Sequence, residues 1–181
     1  MRGVLRQARG GKAPPAAAAQ ILSHVHVSLT YRPQAELATY RGIESITSSF
    51  PLSSDLERST SASVVAELLF TFCPEGEPAQ RSYRLGVAAL EAFLAGARSE
   101  LVVAYVQYWV LALGGVFPAA EEDTATLNSA DISFLSACRR LPLSDFDIPL
   151  PASTAAWLDT RVREEAERPL RALGFLRRIV Q

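Results

Sequence analysis

The sequence predicts an α+β fold, in which a small β module is followed by an all-α helical domain. From Ile21 to Tyr31 the apolar residues fall mainly on alternate positions, as in a half-buried strand. From Val64 onward they recur at the spacing of amphipathic helices. We place the boundary near residue 50, which gives a β module over residues 1–50 and a helical domain over residues 51–181.

The β module is predicted to contain a hairpin. Its turn is expected at Arg32–Gln34, because proline presets the backbone angle that a turn needs. A second strand is expected from Glu36 to about Ile46, and Gly42 is expected to mark a bulge. A shorter strand-like piece covers Gly3–Leu5. These strands make up the whole predicted module.

The rest of the chain is predicted to be helical. A capping box of Ser54 and Glu57 is expected to open the first helix, and Ser99 is expected to cap the third. This third helix, Glu100–Leu113, is apolar nearly all round, which predicts a buried central helix. The second helix, at about residues 79–95, carries an apolar face of Tyr83, Val87, Leu90 and Leu94. Further helices are expected at residues 130–140 and from residue 154, the last with a break before Pro169.

Charge is distributed unevenly along the chain. There are 18 basic and 19 acidic residues, for a net charge of −1. Five basic residues and no acidic one precede Glu36, and the stretch from Arg161 holds six arginines against three glutamates. A basic N-terminus and a basic C-terminal segment therefore flank an acidic middle, and such clusters are typical of surfaces that bind polyanions.

The N-terminal cations are candidate phosphate contacts. Each neutralised phosphate releases condensed counterions, which gives sequence-independent, salt-sensitive binding. A frayed basic terminus is the alternative. The arginines from Arg161 to Arg178 could form a second phosphate patch, or a solvated helix face on which Arg161 pairs with Glu165. The N-terminal candidates are Arg2, Arg6, Arg9, Lys12 and Arg32.

Aromatic residues leave further alternatives open. Tyr31 and Tyr40 could stack on nucleic-acid bases, although Tyr31 falls on the apolar face of its strand. Three aromatic residues of the third helix could line a peptide-binding groove or form an ordinary aromatic core. They are Tyr105, Tyr108 and Trp109.

The sequence carries no motif for catalysis or nucleotide binding. It lacks G-x-S-x-G, Walker A and G-x-G-x-x-G patterns, and Gly10–Lys12 is followed by prolines rather than by a helix. His24 and His26 lie two positions apart on one strand face and could chelate a metal, but no third ligand is evident. Two acidic groups are interpreted as solvated surface charge, Glu121–Asp123 and the pair Asp145 and Asp147. We expect no enzyme and no cofactor.

Cysteine usage and hydropathy indicate a cytoplasmic protein. Cys73 and Cys138 are far apart and have no C-x-x-C partner, which is typical of free thiols in a reducing compartment. The most apolar stretch, Leu101–Leu113, is too short to cross a bilayer. The first twenty residues lack the apolar core of a secretory signal.

Four stretches, taken in order, carry a resemblance to a known family. They are VHVSLTYRPQAELATYRGIESITSSF, SDLERSTSASVVAELLFTFCPEGEP, SELVVAYVQYWVLALGGVFP and the final EEAERPLRALGFLRRI. Together they resemble the RecO family of bacterial DNA repair and recombination mediators, over nearly the whole chain. The resemblance implies an N-terminal OB-fold barrel followed by a helical domain.

The resemblance also implies a non-enzymatic function in the RecF pathway. Members bind single- and double-stranded DNA, anneal complementary strands, and act with RecR to load RecA on strands coated by single-strand-binding protein (SSB). The N-terminal cations would then contact DNA, in the cytoplasm and at the nucleoid. A basic and apolar groove at Arg81 and Arg84 would bind the acidic C-terminal tail of SSB.

Two departures from the family pattern change these expectations. The opening MRGVLRQARGGK resembles a region that normally follows the first strands of the barrel, so the β module is expected to be a partial OB-fold, from a truncated chain or a misassigned start. Many members carry a zinc module with two C-x-x-C pairs after the third helix, whereas Val116–Ser129 contains no cysteine, so no zinc is expected. The alternative function is a helical protein-interaction adaptor with a vestigial β segment that binds no DNA.

Overall fold

The structure, a computed structural model, describes residues 3–4, 20–30, 38–73, 79–116 and 127–180. In these ranges the chain forms a three-stranded sheet and then a helical body, which confirms the predicted α+β class. The strands are β1 (Gly3–Val4), β2 (His24–Thr30) and β3 (Ala38–Thr47). The helices are α1 (Leu56–Phe72), α2 (Gln80–Leu94), α3 (Ser99–Leu113), α4 (Ser129–Arg140), α5 (Ala152–Glu165) and α6 (Arg171–Ile179).

The sheet has the order β1-β3-β2, with β1 parallel and β2 antiparallel to β3. The register shifts between the pairs Ser28–Gly42 and Leu29–Tyr40, which leaves an extra residue in β3 beside Gly42, where a bulge is predicted. The predicted apolar face of β2 is only partly covered, since Leu29 is 43% exposed. The predicted turn at Arg32–Gln34 lies outside the described residues.

Two sets of hydrogen bonds hold the sheet against the helical body. Buried Ser49, which follows β3, donates its hydroxyl to the Ile21 carbonyl at 2.7 Å and its backbone N–H to Ser23 Oγ at 3.1 Å. The Tyr83 hydroxyl of α2 lies 2.6 Å from His24 Nε2 of β2. The start of β2 is thereby fixed to both the end of β3 and the helices.

The third helix is the centre of the helical body. α3 is buried along nearly its whole length, as its all-round apolarity predicts, and α1, α2, α4 and α5 pack against it. The largest fully buried side chains of the other helices are Leu68, Leu90, Phe93, Phe134, Leu158 and Leu173. The core is therefore a single layer of helices around α3, to which the sheet is appended.

The predicted apolar face of α2 is only partly correct, since Leu90 is buried but Tyr83 and Leu94 are exposed. Its buried residues are Leu85, Ala89, Leu90, Ala92 and Phe93. Tyr83 is 55% exposed, because its side chain turns toward His24 of the sheet instead of the helical core. Gly86 faces α1 so closely that a Cβ there would lie 3.0 Å from Leu69 Cδ1. The close approach of α1 thus sets the rotation of α2.

Two predicted helix caps are also wrong. α1 is capped by Asp55, whose carboxylate accepts from the Arg58 N–H at 3.0 Å. The Ser54 hydroxyl instead donates to the Pro51 carbonyl at 3.0 Å, because Phe50–Ser54 forms a short 3₁₀ turn. Ser99 lies inside α3 and is buried, so the helix begins one residue earlier than expected.

The last helix is capped from a distant part of the chain. The predicted break before Pro169 is confirmed, since α5 ends at Glu165 and α6 begins at Arg171. The carboxylate of Glu67, on α1, accepts hydrogen bonds of 2.7 to 3.2 Å from the first three backbone N–H groups of α6. These groups would otherwise lack partners, so Glu67 satisfies the exposed end of the helix and joins it to α1.

A buried carboxylate joins the N-termini of α4 and α5. Asn128 caps α4, and Asp131 accepts from the Asn128 N–H at 2.9 Å to complete a capping box. Asp131 also accepts from the hydroxyls of Ser153 at 2.6 Å and Thr154 at 2.5 Å, both on α5. Burial alone would raise the pKa of Asp131, but these hydrogen bonds outweigh it, and the pKa is lowered.

A second polar cluster connects α3, α5 and α6. Arg177 donates from Nε and Nη2 to the two carboxylate oxygens of Asp159, at 2.5 and 2.7 Å. The fully buried Gln107 donates to the same carboxylate at 2.8 Å. The hydrogen bonds to Asp159 raise the pKa of Arg177 above its ordinary value. No helix within the described ranges is long and apolar enough to cross a membrane.

Candidate partner-binding pocket

A pocket of about 440 Å³ opens between α2, α3 and the segment that follows α4. Its wall is apolar, and its only charged lining residues are two arginines of α2, Arg81 and Arg84. The apolar lining consists of Leu85, Ala88, Tyr105, Trp109, Leu113, Pro142 and Leu143. We call this site the Arg–Trp pocket. It brings together two groups that are predicted separately from the sequence, the arginines as partner contacts and the aromatic residues as a peptide groove.

Helical spacing places these side chains on two facing surfaces. Arg81, Leu85 and Ala88 follow one another at intervals of four and three residues along α2. Tyr105, Trp109 and Leu113 do the same at intervals of four along α3. Because α2 and α3 pack against each other, the basic first turns of α2 lie over the aromatic side of α3.

The floor of the pocket is held rigidly by aromatic contacts. The Tyr105 ring meets Phe146 edge to face at 5.1 Å, and Trp109 meets Tyr108 in the same way at 5.4 Å. The Tyr105 hydroxyl donates to the Leu141 carbonyl at 3.1 Å, and burial raises the pKa of Tyr105, so this donor stays protonated at neutral pH. The segment after α4 is thereby fixed as the third wall.

The rim of the Arg–Trp pocket is cationic, and its charges are available to a ligand. Arg81 and Arg84 are exposed, and within the described residues neither forms an ion pair. The indole nitrogen of Trp109 is buried and has no acceptor of suitable geometry among the described residues. An apolar cavity with a cationic rim fits a ligand that combines an apolar side chain with carboxylates.

The pocket continues into a neighbouring groove of about 640 Å³. The two share Ala88, Pro142 and Leu143, and the groove extends past Ala92 to Glu91, Arg98 and Asp147. That end carries both signs of charge, so the positive potential is confined to the Arg81 end. An extended anionic segment bound here would therefore take one direction, with its acidic residues beside Arg81 at the N-terminus of α2.

The comparison with known protein families decides what this helical body is. A family model described as "Recombination protein O C terminal" matches residues 53–165. The chain belongs to the RecO family. RecO proteins are recombination mediators, and the chain accordingly has a role of the RecO type in DNA repair and recombination. A search of curated proteins found no match.

The match confirms the family named from the sequence and includes the Arg–Trp pocket. All nine lining residues, from Arg81 to Leu143, fall inside the RecO match. Arg81, Arg84, Tyr105 and Trp109 are identified from the sequence. Leu85 and Ala88 of α2 are missed, and so are Pro142 and Leu143. These two lie in a segment without helical or strand periodicity, and only the tertiary contact with Tyr105 brings it to the pocket.

The predicted DNA contacts of this RecO chain stay predictions. Arg2, Arg6, Arg9, Lys12 and Arg32 all lie outside the described residues, as does Tyr31. The described part of the sheet shows where they attach, since β1 follows Arg2 directly and β2 ends two residues before Arg32.

The other predicted chemical groups are dispersed. His24 contacts Tyr83 while His26 is exposed, and no three His, Cys, Asp or Glu residues in the described ranges are grouped to hold a metal ion. Burial raises the pKa of Cys138 to about 12, so this thiol is not a nucleophile at neutral pH. Asp145 and Asp147 are both exposed, in agreement with surface charge, whereas Glu121–Asp123 lies outside the described residues.

Proposed function

We propose that this RecO protein is a non-enzymatic mediator of the RecF pathway. It binds single- and double-stranded DNA, promotes strand annealing, and acts with RecR to load RecA on SSB-coated DNA, in the cytoplasm at the nucleoid. It needs no cofactor. The observation that carries the proposal is the Arg–Trp pocket, within a helical body that belongs to the RecO family.

The pocket is proposed to bind the C-terminal tail of SSB. An acidic tail requires cations that are not already paired, and Arg81 and Arg84 form no ion pair with the residues that the structure describes. An apolar residue of the tail would fill the cavity between Leu85 and Trp109, which is apolar and rigid. Aromatic and arginine side chains in such pockets contribute most of the affinity at protein interfaces.

The N-terminal module is proposed to carry the DNA. We propose a division into a partial OB-fold over residues 1–50 and a helical RecO domain over residues 51–181. OB-folds bind single strands along the sheet, with cations on phosphates and aromatic rings under bases. The β1-β3-β2 sheet, fixed to α2 through His24 and Tyr83, supports this proposal because it gives the basic N-terminus a rigid base.

The first expected result concerns single-stranded DNA. A labelled oligothymidylate should bind the full chain at low salt, and affinity should fall with a slope of about −3.5 in log K against log salt if all five N-terminal cations contact phosphates. Fluorescence anisotropy at several salt concentrations measures this slope. Replacing Arg2, Arg6, Arg9, Lys12 and Arg32 with alanine should remove most of it.

The rival function is a helical adaptor without DNA binding. Absence of binding by the wild-type chain at low salt would favour the adaptor and contradict the mediator. The matched control replaces Arg139 and Arg140, which are exposed at the end of α4, and should leave the slope unchanged.

The second expected result concerns the SSB tail. The double variant Arg81→Ala/Arg84→Ala should bind a fluorescent peptide with the sequence of that tail about tenfold more weakly, because each rim cation contributes up to about 1 kcal/mol. Isothermal titration or anisotropy measures the change. Arg139→Ala/Arg140→Ala again serves as the control, since it removes the same charge from α4.

A peptide in which the acidic residues are replaced by their amides should bind both proteins weakly. Equal affinity of the wild type and Arg81→Ala/Arg84→Ala for the acidic peptide would exclude the Arg–Trp pocket as the tail site. The melting temperatures of the variants should match, since both arginines are exposed and contact no core residue through a hydrogen bond in the described chain.

A further inference from the structure

Five of the six C-terminal arginines fall into two groups by their contacts, and the sixth, Arg163, is exposed on α5 with no ion pair in the described ranges. Arg161 pairs with Glu164 at 3.3 Å, and Arg177 pairs with Asp159. By contrast, Arg168, Arg171 and Arg178 form no ion pair within the described residues. The charges of the first group are neutralised within the fold, whereas those of the second group are available to an anionic ligand.

Two exposed phenylalanines accompany the second group. Phe70, in the last turn of α1, is 65% exposed, and the Arg168 guanidinium lies over its ring at 4.0 Å. Phe175 of α6 is 42% exposed, with the Arg178 guanidinium at 5.7 Å from its ring. Two exposed rings beside cations that have no ion pair in the described residues offer a ligand both apolar surface and charge.

These side chains lie along α6 and at the neighbouring last turn of α1. Arg171, Phe175 and Arg178 follow at intervals of four and three residues on the solvent face of α6, opposite the buried Leu173 and Leu176. The contact of Glu67 with the start of α6 puts Arg171 beside the last turn of α1, where Phe70 lies. We call the set Phe70, Arg168, Arg171, Phe175 and Arg178 the Arg–Phe surface.

The local electrostatics give Arg171 no structural reason to be cationic. It is the first residue of α6, and a positive charge at a helix N-terminus opposes the helix dipole. The backbone N–H groups at this end are occupied by Glu67, so the helix terminus itself is not an anion site. Any anion bound here must be held by the side chains.

Arg168 is preorganised for such a contact. Its Nη2 donates to the Phe70 carbonyl at 2.9 Å and its Nε to Thr71 Oγ1 at 3.2 Å, which leaves Nη1 free to donate outward. A guanidinium held over an aromatic ring offers both a charge and a surface for stacking. The acids nearest in sequence are Glu164, which is paired with Arg161, and the exposed Glu165 and Glu167. Glu67, which is distant in sequence, accepts the hydrogen bonds of the α6 backbone.

We propose that the Arg–Phe surface binds a second segment of single-stranded DNA on the helical body. Phosphates would lie on Arg168, Arg171 and Arg178, and bases would stack on Phe175 and on the Arg168 guanidinium that covers the Phe70 ring. Cations that alternate with aromatic rings along an exposed face match the phosphates and bases of a single strand. Phe175 and the three arginines line neither the Arg–Trp pocket nor its neighbouring groove, and Phe70 lines a separate cavity of about 470 Å³. The inference rests on the proposed function for its ligand class and adds a site far from the N-terminal module in sequence.

The test uses a labelled oligothymidylate long enough to reach both sites. Arg171→Ala/Arg178→Ala should lower the salt slope by about 1.4, from two lost phosphate contacts at about 0.7 each, whereas Arg139→Ala/Arg140→Ala should leave it unchanged. Phe175→Leu should weaken binding about tenfold through lost stacking, and Phe175→Trp should preserve it and show fluorescence quenching by the bound strand.

Three outcomes separate this inference from the proposed function. A slope that depends on the N-terminal cations but not on Arg171 and Arg178 would overturn the Arg–Phe surface and leave the mediator intact. Dependence on Arg171 and Arg178 alone would support the surface and contradict the N-terminal site. Loss of tail-peptide binding in Arg171→Ala/Arg178→Ala, with DNA binding unchanged, would assign the surface to a protein partner and overturn the inference.

Discussion

Replacing Asp131 with alanine is expected to lower the free energy of unfolding by about 3 kcal/mol. The carboxylate is fully buried, and its removal leaves the hydroxyl of Thr154 and the Asn128 N–H without an acceptor. It also disconnects the start of α4 from the start of α5. Urea denaturation of the wild type and Asp131→Ala measures the loss, and the exposed Asp147→Ala should change stability by less than about 0.5 kcal/mol.

The same carboxylate makes stability depend on pH. Because the pKa of Asp131 is lower in the folded protein, its stabilising contribution is complete above the ordinary value of 3.8 and is lost as pH falls through the lowered pKa. Asp131→Asn keeps the shape but cannot titrate. Its stability should therefore fall less than that of the wild type between pH 5 and the acid transition. Parallel pH dependence of the two proteins would show that Asp131 does not carry the effect.

Replacing Arg177 with alanine is expected to cost about 3 kcal/mol, because it leaves the carboxylate of Asp159 largely buried without its counterion. Both N–H···O bonds to Asp159 are lost, and Gln107 remains as the carboxylate's donor from the core. Arg177→Lys should recover part of the loss, since one ammonium cannot reproduce the two-point contact of a guanidinium.

The neighbouring residue supplies the control. Arg178 lies next in sequence on the same helix but is exposed and unpaired within the described residues, so Arg178→Ala should leave the unfolding free energy within about 0.5 kcal/mol of the wild type. Chemical denaturation of the two single variants and of Asp159→Ala/Arg177→Ala gives the coupling energy. A coupling near zero would mean that the pair does not stabilise the junction of α5 and α6.

The sequence predicted those features that depend on residues within a single helix or at its end. The all-round apolarity of α3 predicted its central position, and Pro169 predicted the break between α5 and α6. The rotation of α2 was not predictable in this way. It depends on the close packing of Gly86 against Leu69 and on the bond between Tyr83 and His24, both of which join residues far apart in the chain.

The same distinction applies to the candidate sites. Arg81 and Trp109 were identifiable because arginines in a first helical turn and aromatic residues at a four-residue spacing are local patterns. Their meeting in one pocket with Leu143 is a tertiary result. The Arg–Phe surface was visible only as a run of arginines, because the pairing of Arg177 with Asp159 and the stacking of Arg168 on Phe70 decide which charges remain available.

The cap that Glu67 provides for α6 has a consequence for the order of folding. The bonded groups are separated by 104 to 106 positions, so this contact closes a loop that contains most of the helical body. On the ribosome α1 is synthesised before α6. The surface of α1 that packs on α6 therefore stays exposed to solvent until α6 has been synthesised. Contacts between such distant segments slow folding and prolong the exposure of apolar surface, so the completed chain, and not its first helices, is the unit that reaches a closed core.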